Sequence, residues 1–140
     1  MKFVCDAPGG KAWFRIETEL EAQQESELMQ HAVEKYFRRE REKAADSYQP
    51  SPATAYIERD IGLNAHIQRQ MPWFLTLRDA EGNGLATAML PPGGRQADGF
   101  RAIIVGRANS DPYPAEGEAI EALAEQLGLT LDRASCYPYA

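Results

Sequence analysis

Between Gly10 and Pro50 the chain contains neither glycine nor proline. So long a run without a helix breaker, opened by Thr18 and Glu21 at the spacing of a capping box, predicts one long helix from about Glu19 to about Asp46. The charge order agrees. Glu17, Glu19, Glu21, Glu25 and Glu27 come first and Lys35, Arg38, Arg39, Arg41 and Lys43 follow, which complements the helix dipole at both ends. Leu28, Met29, Ala32, Val33, Tyr36 and Phe37 form one apolar stripe, and His31 borders it. The turns on either side are mostly polar, so such a helix exceeds what its stripe needs and offers its ends to a partner. Arg38 lies four residues from both Glu34 and Glu42, the spacing of ion pairs on a solvated face, and this weighs against reading the basic stretch as a polyanion-binding stripe.

Outside this run the period changes. Lys2 to Asp6 and Ala12 to Glu17 read as strands, the second with Phe14 and Ile16 on one face and Trp13 and Arg15 on the other. Ser51-Pro52 opens a short helix ending near Gly62, and Asn64 caps a further helical turn that runs to Gln70 and stops before Pro72. From Trp73, alternation returns: Trp73, Leu75 and Leu77 oppose Phe74, Thr76 and Arg78, a turn over 79–84 follows, and Leu85 to Leu90 completes a hairpin. Ala102 to Gly106 is a continuous apolar run that suits an interior strand. Ala119, Ile120, Leu123, Ala124 and Leu127 mark the buried face of a last helix, with Gly128 as its C-terminal cap, and Leu129 to Asp132 reads as a closing strand. Strands grouped in runs and separated by helices, without regular βαβ alternation, predict an α+β fold. Residues 1–140 are expected to form a single domain, a largely antiparallel sheet with one long helix and one shorter C-terminal helix packed on it.

With 15 Lys and Arg against 21 Asp and Glu, the net charge is −6, which gives no general attraction to phosphate backbones or anionic lipid. Nucleic acid and membrane are therefore not expected as partners. No apolar stretch reaches the roughly 20 residues of a membrane span, and no signal-peptide core follows Lys2. Cys5 and Cys136 are the two cysteines, far apart in sequence and outside any disulfide pattern, so reduced thiols and a cytoplasmic location are expected. Together with His31 and His66 they lack the close spacing of a zinc site, and no metal or cofactor is expected. Cys136, in a polar C-terminal segment, is the better placed of the two for a reactive thiol. No nucleophile elbow, zinc-protease pair or calcium loop occurs.

Two Pro-Gly-Gly loops echo each other, Pro8 to Lys11 and Pro92 to Arg95. Each fits a chain reversal, or a backbone nest in which Lys11 or Arg95 helps surround an anion. Neither has the spacing of a phosphate-binding loop, which favours the reversal. A second candidate lies after the apolar Ala102 to Gly106 run, where Arg107, Asn109, Asp111 and Tyr113 gather ahead of a helix N-terminus. Two functions follow. The first is a non-enzymatic interaction or regulatory module acting as a homo-oligomer or on a protein partner, expected from the overlong helix and the lack of a catalytic constellation. The second is a binding domain or small enzyme for an acidic small molecule, using Arg95, Arg107, Asn109, Asp111 and Tyr113.

Overall fold

In the computed structural model, which describes residues 1–50 and 56–139, five strands form one antiparallel sheet in chain order. They are β1 (Lys2–Ala7), β2 (Lys11–Ile16), β3 (Trp73–Arg78), β4 (Gly84–Leu90) and β5 (Ile103–Val105). Helices α1 (Glu19–Met29), α2 (Val33–Asp46) and α3 (Tyr56–Gln70) lie between β2 and β3, and α4 (Tyr113–Leu127) follows β5. The α+β class and the antiparallel sheet are those the sequence predicts.

The period-2 pattern of β3 places the two helical layers. Leu75 and Leu77 join Trp13, Ala86, Ala88 and Ile104 in a core shared with Ala119, Ile120 and Leu123 of α4. Phe74 points the other way and packs with Ile16 against Ala22, Val33, Phe37, Ile67 and Met71 of the α1–α3 layer. The Phe37 and Phe74 rings lie 5.3 Å apart. The indole Nε1 of Trp13, wholly buried, donates to the Ala119 carbonyl at 2.8 Å and so ties α4 to the sheet. At the β1–β2 turn Gly9 and Gly10 adopt φ of 83° and 75°, a left-handed pair that glycine accepts without steric cost. Lys11 beside them is committed to Glu116 of α4, Nζ to Oε2 2.7 Å, so this loop is a chain reversal whose cation belongs to the fold.

The single helix expected over Glu19 to Asp46 is two helices. The Thr18 and Glu21 capping box forms as read, but the chain turns at Gln30, which takes φ 55° and ψ 48°. The tertiary structure stabilises this break. Ser26 Oγ accepts from the backbone N–H of Glu34 at 2.8 Å, satisfying a free donor at the start of α2. Arg38 reaches back to Glu19, Nε to Oε1 2.6 Å, as well as to Glu34. In a continuous helix Glu19 and Arg38 would stand about 28 Å apart. Folding the segment back buries Met29, Val33 and Phe37 of the apolar stripe, while Leu28 and Tyr36 stay exposed.

Three further expectations are corrected. Helix α3 runs unbroken through Gly62, because the missing Cβ leaves room for Tyr48, whose hydroxyl occupies that space. Asn64 therefore lies inside a helix, while the Ser51-Pro52 cap falls outside the described residues. Residues Leu129 to Asp132 form no strand; Leu129 and Leu131 are buried, and the Leu131 carbonyl accepts from the Tyr113 hydroxyl at 2.7 Å instead of from a strand neighbour. Finally, β5 is an edge strand. Its outer side is bridged at one point by the C-terminal tail, where the Tyr137 N–H donates to the Ala102 carbonyl at 2.9 Å. Among the described residues no helix is long and apolar enough to cross a membrane.

Candidate functional site: a cleft between α2 and β5

The short edge strand leaves a mostly apolar opening on the α1–α3 side. Ile104 turns toward α4 and is buried, whereas its neighbours Ile103 and Val105 face the other way and stay half-exposed. They sit opposite Met89 and Thr87 of β4, so these four side chains share one sheet face. The α1–α3 layer covers that face only as far as α2, leaving a cleft of about 460 Å³. This volume lies within the range typical of small-molecule sites. Phe74, Met89, Ile103 and Val105 form the floor, Val33, Tyr36 and Arg39 of α2 form one wall, and Asn109, Tyr137 and Pro138 form the other.

His31 stands in the connection that breaks the expected long helix, and this break brings it to the cleft. Its Nε2 is buried and has no hydrogen-bond partner. Burial holds the imidazole below its ordinary pKa of 6.5, while the Glu25 charge and a contact with its own carbonyl pull the other way. The ring is thus neutral at pH 7, and it adds an uncharged aromatic surface to the cleft lining.

Thr87 lines the cleft and bonds to a buried ion pair. Its hydroxyl donates to Glu25 Oε2 at 2.5 Å, and the other Glu25 oxygen accepts from Arg78 Nη2 at 2.8 Å. Arg78 Nε donates in turn to Thr76 Oγ1 at 3.0 Å. Glu25 is completely buried, so both of its oxygens are occupied from within the protein. At the mouth, the Arg39 guanidinium lies 4.7 Å over the Tyr36 ring and 3.6 Å from Glu40. The arrangement can hold a mostly apolar molecule and orient one polar group on it.

The five residues singled out from the sequence are dispersed. Asn109 lines the cleft, held at φ 62° beside Ala108 at φ 54°. Asp111 accepts from the Tyr113 N–H and from Arg133 Nε, both at 3.0 Å, and Tyr113 packs edge-on against Tyr139. Asp111 and Tyr113 therefore fasten the C-terminal tail, which supplies the second wall. Arg107 is exposed in the one-turn helix after β5, and Arg95 is exposed in the loop before it, so the two arginines stand at opposite ends of that strand. The Gly93-Gly94 loop reverses the chain against Trp73, whose ring a Gly94 Cβ would meet at 2.9 Å.

The thiols are likewise withdrawn. Cys136 is not accessible in a polar tail; it is fully buried beside Tyr113, and burial raises its pKa as it does that of Cys5. Among the described residues no three His, Cys, Asp or Glu side chains cluster to hold a metal ion.

Tyr36, Arg39, Thr87 and Tyr137 were not singled out from the sequence. The available signal was the Thr87 and Met89 alternation on β4, but its meaning depends on which helix stops short of β5. No protein-family model matches the chain, and neither a curated protein nor a solved structure matches it, so function is read from the cleft itself.

Proposed function

We propose that this protein is a small-molecule binding module whose site is the cleft between α2 and β5. The observation that carries this reading is a partly exposed apolar floor, Ile103 and Val105, recessed beneath Tyr36 and Arg39 of α2 and Tyr137 of the tail. Apolar surface recessed in a cleft of this volume gains from a ligand that covers it. Catalysis is less well supported, because the Glu25 carboxylate and the Thr87 hydroxyl are engaged with each other. Val105→Trp tests the reading by filling the cleft from its floor. A compound that stabilises the wild type in a thermal-shift screen, and does not stabilise a folded Val105→Trp variant, is the expected result. Ligand at a hundred times its dissociation constant adds about 2.7 kcal/mol. No stabilising compound in a broad metabolite set, or equal stabilisation of the variant, refutes it.

Self-association is a second reading, now resting on the sheet edge and no longer on an overlong helix. Strand β1 pairs on one side with β2, and Phe3 on it is 54 % exposed. An edge of this kind is a template for pairing with a second copy, although the bulge between Phe3 and Cys5 opposes a long ladder. Light scattering that finds a monomer at all concentrations excludes this route; a dimer lost in Phe3→Lys supports it.

A further inference from the structure

The composition of the cleft narrows its ligand. Asp and Glu make up 21 of the 140 residues, yet among the described residues that line the cleft there is neither. Its charged lining residue is Arg39, and its titratable residues besides are His31, Tyr36 and Tyr137. Glu25, the buried acid whose charge acts on His31, is paired with Arg78 and hydrogen-bonded by Thr87, so both of its oxygens are engaged within the protein. Glu40 lies 3.6 Å from Arg39, but Arg39 is 55 % exposed, so this pair is loose and leaves the guanidinium able to meet a second anion.

The walls add a shape. Tyr36 and Tyr137 face the opening from α2 and from the tail, and Phe74 lies at its floor, so flat aromatic surfaces bound the apolar space on several sides. Such walls suit a planar hydrophobic body. Arg39, held over the Tyr36 ring, stands where a negative group on that body would emerge toward solvent.

We infer that the cleft takes an amphipathic aromatic anion, its ring system on Phe74, Met89, Ile103 and Val105 and its carboxylate or sulfonate toward Arg39. This rests on the small-molecule reading above and goes beyond it in naming the chemical class. It also differs from the acidic-ligand site expected from sequence, since neither Arg95 nor Arg107 takes part.

Two probes with one skeleton test it: 8-anilinonaphthalene-1-sulfonate, which carries a negative group, and N-phenyl-1-naphthylamine, which lacks it. Fluorescence titration of the folded wild type should show one site for each probe, with the sulfonate bound about two- to fivefold more tightly. Arg39→Gln should bring the ratio of the two affinities to about one, whatever it does to the neutral probe. Val105→Trp, and Met89→Trp as a second cleft-filling variant, should weaken both probes, with circular dichroism confirming that each variant is folded. Equal binding of the two probes by the wild type, or a preference that survives Arg39→Gln, overturns the anion inference and leaves the cleft reading standing. Failure of both probes to bind, or binding indifferent to both cleft-filling variants, overturns the two together.

Discussion

Replacing Arg78 by methionine would leave the Glu25 carboxylate completely buried with Thr87 as its one remaining partner. Glu25→Gln is the gentler change, because the amide oxygen still accepts from a neighbour and Arg78, whose side chain is 17 % exposed, keeps access to water and to Thr76. The asymmetry sets the magnitudes. Breaking a buried pair by removing one member costs about 3–5 kcal/mol when the survivor is trapped. Loss of one charge-assisted hydrogen bond costs about 1.5–3 kcal/mol when the survivor is solvated. Arg78→Met is therefore expected to lose about 3–4 kcal/mol and Glu25→Gln about 2 kcal/mol. The double variant should fall well short of the two losses combined, because neutralising Glu25 removes the charge that makes Arg78→Met costly. Urea denaturation followed by tryptophan fluorescence measures all three. With a slope of about 1.5 kcal/mol per molar urea, Arg78→Met shifts the midpoint down by about 2 M. Equal losses for the two single variants, or a strictly additive double variant, would show that Glu25 is not held as a buried charge and would refute the reasoning.

Gln30→Gly should stabilise the protein by about 1 kcal/mol, since Gln30 occupies a left-handed conformation that glycine adopts freely; in a continuous helix the same change would destabilise by a similar amount, so the sign of the urea midpoint shift decides between the two structures. A thiol reagent such as DTNB should titrate neither Cys5 nor Cys136 in the native state and both after unfolding, because each is buried with its pKa raised. For His31, whose folded pKa lies below the ordinary 6.5, the neutral ring favours the native state. Its contribution is complete above the unfolded pKa and declines as pH falls from about 6.5 toward the folded value. His31→Asn should flatten the stability profile between pH 7 and pH 5; profiles of identical slope would contradict the burial of this ring.

How far the sequence could be read depended on whether a residue's neighbours in space were also its neighbours in the pattern. Alternation in β2 and β3 was legible because each face of those strands meets a continuous helical layer, so polarity along the strand reports burial directly. The capping box at Thr18 was legible for a similar reason, its partners being three residues apart. The turn at Gln30 had no such signature. It contains no glycine or proline, and what favours it is contact between α1 and α2, through Ser26 with Glu34 and Glu19 with Arg38. The run Ile103-Ile104-Val105 was ambiguous in another way, because an apolar strand is written alike whether both faces are covered or one is left open.

The candidate site lies where these two ambiguities meet. Folding α2 back on α1 brings His31 and the Tyr36 and Arg39 side of α2 over the sheet, and the uncovered side of β5 provides the floor beneath them. A continuous helix would not return α2 to this position, and an interior β5 would have the opening filled by its own layer of side chains. Asn109 shows the limit of reading chemistry from a cluster in sequence. Its neighbours Asp111 and Tyr113 seemed part of the same site, yet their hydrogen bonds to Arg133 and Leu131 hold the tail that carries Tyr137. They act on the cleft through the position of its wall. Weakening that attachment, for example by Tyr113→Phe, should therefore loosen the bound probe without removing any group that faces it.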